Sequence, residues 1–126
     1  MIEHLRHELG PMLPLTIKMA ESADGALTLV GDGWTFNSVS AWRVIKGGLL
    51  DFGWSSENAP ELVRGLVGLS IVSVASQSPL MRGDPAFELS DGQWLEIFSD
   101  HFLDPWVMHL PNIIFVGSPA DTEESD

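Results

Sequence analysis

The chain has 126 residues, 44% hydrophobic and 19% charged, with 18 acidic residues against 6 basic ones and a formal net charge of −12. It has no cysteine, which excludes disulfides, thiolate zinc sites, iron–sulfur clusters and cysteine nucleophiles. So few cations oppose binding to nucleic acid or to an anionic membrane surface, and the charge favours a basic protein as partner.

A chain of this length can bury enough surface to fold without staples. We expect one domain over residues 1–117, followed by an acidic tail over 118–126 with no apolar periodicity and no fixed structure. The tail holds Asp121, Glu123, Glu124 and Asp126, and removing those four acids from −12 leaves −8 on the domain. No run of ~18 apolar residues is present to span a bilayer as a helix. The opening stretch carries Glu3, Arg6 and Glu8, which does not suit a secretion signal, so a cytoplasmic location is expected.

In chain order, Ile2, Leu5 and Leu9 are spaced three and four apart, which predicts a helix over 2–9 stopped by Gly10 and Pro11. Leu15 to Met19 alternates apolar and polar, the strand period. Glu21 to Gly25 has hairpin-turn composition, with Asp24-Gly25 suited to positive φ. Strands are predicted over Ala26 to Val30, from Trp34 to Phe36, at Trp42 to Lys46 and at Leu49 to Trp54, with Asp32-Gly33 as a further turn. Pro60 and Glu61 predict a short helix over 58–66. Leu69 to Ala75 predicts a strand, Gln77 to Pro85 a loop, and Phe87 to Leu89 another strand. After the Asp91-Gly92 turn, Trp94, Glu96 and Phe98 share one face and Leu95 and Ile97 the other. Trp106 to Leu110 and Ile113 to Val116 close the domain.

Two halves of this pattern resemble each other, about residues 1–54 and 55–117. Leu5-Arg6 with Leu9-Gly10 echoes Val63-Arg64 with Val67-Gly68. Asp32-Gly33-Trp34-Thr35-Phe36 echoes Asp91-Gly92-Gln93-Trp94-Leu95, and Trp42 to Ile45 echoes Trp106 to His109. Four of the five tryptophans thus fall at corresponding places. Half a chain this short cannot cover both faces of its own sheet, so the two would share one core. The expected fold is α+β, mainly antiparallel β, because the strand connections are too short for parallel crossovers.

Candidate chemistry is sparse. His4 and His7 lie one helical turn apart, but with no third ligand nearby they suit a solvated face better than a metal. Asp100, His101 and Asp104 sit together in one predicted loop, where Asp–His pairing could build a base; Asp104-Pro105 also has the chemistry of a turn. No Gly-x-Ser-x-Gly elbow or phosphate cradle is present, and Arg82-Gly83-Asp84 matches an adhesion tripeptide only by coincidence. No catalytic residue, metal set or cofactor is expected. Trp34, Trp42, Trp94 and Trp106 either pack the core or line a groove at the junction of the halves.

The segments Leu66 to Val74, Phe87 to Phe98 and Asp104 to Val107 give a cadence of Leu-x-Gly, then Leu-x-Asp-Gly, then a tryptophan strand. In this the second half resembles small uncharacterised bacterial domains, some of which resemble immunity proteins of toxin systems. The resemblance implies no catalytic residue. Charge and resemblance together point to a non-enzymatic acidic protein of the immunity or antitoxin kind, with Asp91, Glu96, Asp100, His101 and Asp104 facing the partner. The alternative is a small-molecule or carbohydrate-binding module using the four tryptophan faces. Exposed sheet edges would also allow a homodimer.

Overall fold

A computed structural model describes residues 2–100 and 103–118. The elements are α1 (Ile2–Leu9), a 3-10 turn (Gly10–Met12), β1 (Leu15–Thr16), β2 (Met19–Ala23), β3 (Ala26–Gly31), β4 (Trp34–Ser38), β5 (Ala41–Lys46), β6 (Leu49–Gly53), α2 (Ala59–Arg64), β7 (Ser70–Ser78), β8 (Met81–Leu89), β9 (Trp94–Phe98), β10 (Trp106–His109) and β11 (Ile114–Val116). The protein is mostly antiparallel β, in two sheets, with few short helices. One sheet has six strands in the order β1-β7-β8-β9-β5-β6, and the other has five in the order β11-β10-β4-β3-β2.

Each sheet is assembled from distant parts of the chain. The meander β2-β3-β4 is completed by the hairpin β10-β11, and the meander β7-β8-β9 by the hairpin β5-β6. The alternation in the strands decides which side faces inward. In β9 Leu95 and Ile97 are buried while Trp94, Glu96 and Phe98 are half-exposed, as their period of two requires. In β4 Trp34, Phe36 and Ser38 point inward. The buried apolar side chains form one cluster that runs from Ile2 to Phe115. The helices add to it: α1 packs on β7 and β8, and α2 on β2.

Several boundaries differ from those the sequence predicts. The single strand expected over Leu15 to Met19 is two strands in different sheets. The N–H of Ile17 donates to the Leu69 carbonyl on the six-stranded side, and that of Lys18 to the Val30 carbonyl on the other, both at 2.8 Å. Crossing between sheets therefore occurs at one peptide, which alternation of side chains does not reveal. The turn expected over Glu21 to Gly25 shrinks to Asp24-Gly25, with φ of 52° and 83°, and Glu21 to Ala23 pair with β3. The loop expected over Gln77 to Pro85 shrinks to a turn at Pro79-Leu80 between the end of β7 and the start of β8. Pro85 lies beside the register shift between Ser76 and Ser78, where a missing N–H is tolerated. The second helix is shorter than expected, spanning Ala59–Arg64.

The largest buried side chains are Trp42 and Trp106. Trp42 donates its indole N–H to the Gly25 carbonyl at 2.9 Å, and Trp106 to the Gly83 carbonyl at 3.3 Å. Trp106 also lies directly over Gly117, where a Cβ would overlap the indole. Gly117→Ala is therefore expected to lower stability by about 1–3 kcal/mol, the usual cost of overpacking a filled core. A urea melt of the variant measures it, and an unchanged midpoint would show that Trp106 can yield.

Candidate functional site

The residues singled out from sequence do not converge on one place. Asp91 starts the turn before β9, and its carboxylate accepts from the backbone N–H of Gln93 at 3.1 Å and from the Gln93 side-chain amide. Both oxygens serve the turn. Glu96 lies in the middle of β9, opposite Arg43, and accepts from its Nε at 2.7 Å. The same guanidinium stands 4.8 Å above the Phe98 ring. Asp100 lies past the far end of β9 from Asp91, and its backbone N–H donates to Ser40 Oγ at 3.2 Å. Asp104 is exposed at φ 48°, a conformation that aspartate tolerates in turns. It presents Pro105, whose carbonyl accepts from the N–H of Val39 at 3.0 Å and that of Ser40 at 3.3 Å. The Asp104-Pro105 pair thus has a structural task. His101 lies outside the described residues, and so do positions 119–126 of the expected acidic tail.

The four matched tryptophans do not line one groove. Trp42 and Trp106 are fully buried, so neither ring offers a face to a ligand. Trp34 is buried too, though it forms part of the wall of a hollow of about 260 Å³ beside the ion pair of Lys18 with Asp32. Trp94 is half-exposed on the outer side of the six-stranded sheet. Gln93 occupies the position after Asp91-Gly92 that Trp34 occupies after Asp32-Gly33. That single-residue offset sends Trp34 inward and Trp94 outward, because side chains alternate along a strand.

Asp84 of the Arg82-Gly83-Asp84 tripeptide lies in β8 and is 2% exposed. One carboxylate oxygen accepts from the Ser99 N–H at 3.1 Å; the other, like the Ser99 hydroxyl, has no hydrogen-bond partner among the described residues. An adhesion loop would need this aspartate at the surface. His4 and His7 are exposed on α1, with His4 edge-on to Phe115 at 5.2 Å. Among the described residues no group of three or more metal-ligating side chains is gathered.

Exposed aromatic and acidic groups meet at the surface around Trp54. This residue is 50% exposed, although it is the bulkiest side-chain type. Its ring rests on the β2-β3 turn, with its Cε3 atom 3.4 Å from the position a Cβ on Gly25 would take. It lines a hollow of about 150 Å³ together with Asp24, Ser40 and Asp100. It also lines one of about 280 Å³ together with Arg43, Leu50 and Phe98. Sequence reasoning selected Asp100 and missed Asp24 and Trp54. Asp24 was fully explained as a turn residue. Trp54 was the one tryptophan without a counterpart, and that was the available signal.

No protein-family model, curated protein or solved structure matches this chain. Among the described residues, no helix is long and apolar enough to cross a membrane.

Burial separates the two tryptophan roles in a measurable way. Trp42→Ala is expected to cost about 3–5 kcal/mol, as for other buried aromatics, and Trp54→Ala roughly half of that or less. Equal losses in chemical denaturation would mean that Trp54 is part of the core.

Proposed function

We propose that this chain is a non-enzymatic acidic binding protein of the immunity or antitoxin kind, and that its partner is a basic protein. The observation that carries the reading is how its charge is arranged. Arg6, Lys18 and Arg43 are paired with Glu3, Asp32 and Glu96 of the same chain. Asp24, Asp51, Asp100 and Asp104 are all exposed. Such a surface steers a cationic partner and repels anionic ones.

We also propose that the domain arose from two similar β-rich halves around one core. Support comes from the exchange of hairpins between meanders and from matching bonds. Trp42 and Trp106 both cap a glycine carbonyl, at Gly25 and Gly83. The N–H of Trp54 donates to the Trp42 carbonyl at 3.0 Å, as that of Gly117 does to the Trp106 carbonyl at 2.8 Å. A second functional reading, a small-molecule or carbohydrate module, is favoured by the hollow between Trp54 and Phe98. Quenching of the exposed tryptophan by a neutral sugar or aromatic would support it.

Affinity capture from the native host tests the main reading. A basic protein retained at low salt and released at moderate salt, whose toxicity is suppressed by co-expression of this chain, is expected. If no basic protein is held at low salt, the reading fails.

A further inference from the structure

We infer that the hollow between β1 and the β3-β4 turn is a binding site for a small uncharged amide, held by the indole N–H of Trp34 and the carboxylate of Asp32. The inference stands apart from the reading of the chain as an acidic protein-binding domain and concerns a different surface from that around Trp54.

Trp34, Trp42 and Trp106 are all buried, but their N–H groups are treated differently. Trp42 and Trp106 each donate to a glycine carbonyl. Trp34 is 2% exposed, yet its indole N–H has no hydrogen-bond partner among the described residues. Nor is that nitrogen sealed in the interior, as the orphaned Asp84 Oδ1 and Ser99 Oγ are. It keeps access to the hollow of about 260 Å³ that its ring walls. A buried side chain whose one polar atom is left unpaired at a hollow calls for an acceptor there.

The backbone places this edge of the ring. Gly31 and Trp34 face each other across the Asp32-Gly33 turn. The ring folds back over Gly31, where a Cβ would overlap both the indole nitrogen and the Thr16 carbonyl oxygen. Glycine at 31 therefore lets the N–H edge stand where β1 meets the β3-β4 hairpin.

The walls of the hollow select the class of ligand. Its two charged residues, Lys18 and Asp32, pair with each other at 2.8 Å. Their charges cancel, so the hollow singles out neither cations nor anions, and the net charge of −12 further disfavours an anion. The faces of the Trp34 ring are packed in the core, so the indole offers a donor at its edge and no stacking platform for a sugar or a planar ring. The Asp32 side chain is 84% exposed, and a carboxylate can accept beyond its bond with one lysine. A donor and an acceptor on the walls of one hollow match the C=O and N–H of an amide. Met12, Pro14 and Leu15 supply apolar surface for its body. The volume lies below the ~300–1,000 Å³ usual for pockets that take drug-sized ligands, so the occupant is small.

The test is two-dimensional NMR of the indole N–H signals in the full chain, assigned through bonds in doubly labelled protein. Four probes carry different head groups on one branched apolar body: isocaproamide, its methyl ester analogue methyl isocaproate, the anion isocaproate and the cation isohexylammonium. The Trp34 signal is expected to shift saturably with isocaproamide. The ester, which accepts but cannot donate, should bind roughly five- to tenfold more weakly, and the two ions more weakly still. Asp32→Ala, at an exposed position, should bring the amide down to the level of the ester and leave the ester unchanged. An ion that binds as tightly as the amide overturns the assignment. So does a Trp34 signal unmoved by all four probes, which would mean that water alone meets the N–H. An amide response at full strength in Asp32→Ala overturns the role given to that carboxylate. Capture of a basic protein is unaffected by any of these results, so the partner reading stands or falls separately.

Discussion

A buried indole must place its N–H on an acceptor, because an unsatisfied donor in an apolar interior costs more than the bond gains. In this protein two fully buried tryptophans meet that requirement across the gap between the sheets. Trp42, in the six-stranded sheet, reaches the turn of a hairpin in the five-stranded sheet; Trp106, in the five-stranded sheet, reaches β8 of the other. Each bond fixes the spacing and the lateral register of the two layers. The stacking of Phe36 on Trp106 at 5.9 Å and the edge contact of Phe52 with Trp42 at 5.9 Å then fill the space around the rings. Glycine follows as a consequence. Gly117 lies so near the Trp106 ring that no Cβ can be accommodated.

The same constraint shapes the surface. Because the backbone at Trp54 bonds to the Trp42 carbonyl, the Trp54 side chain emerges at the end of β6 and lies on the turn at Gly25. That turn carries Asp24, and the segment leaving β9 brings Asp100 to the same hollow. Three residues from three separate stretches are thus gathered by the packing of the two sheets. Asp24 sits in a turn motif and the other two in none, and no motif links the three.

Much of the local structure was legible in the residues. The spacing of Ile2, Leu5 and Leu9 marks α1, the Asp24-Gly25 pair marks a two-residue turn, and alternation in Trp94 to Phe98 separates the inner from the outer face correctly. Alternation fails where a strand changes sheets, since the Ile17-Lys18 peptide keeps the period while its two N–H groups turn to different partners. It also fails across Gln77 to Pro85, where serine, proline and glycine suggest a loop although only Pro79-Leu80 turn and the residues on either side stay in β7 and β8. The candidate site was legible only in part. Asp100 stands out in the sequence because it is next to a histidine and near a second aspartate; in the structure Asp91 holds a turn, Glu96 an ion pair with Arg43, and Asp104 presents Pro105.

Sequence alone determined the sign of the charge, the absence of thiol chemistry, the antiparallel β character and the short helices, because each depends on composition or on spacing between near neighbours. Tertiary structure decided which tryptophans are core and which is surface, and which acids share a hollow. A tryptophan's role turns on a one-residue offset relative to its sheet, and the meeting of Asp24, Trp54 and Asp100 turns on strands far apart in the chain. Both are set by the pairing of distant backbone, which no local pattern of side chains encodes.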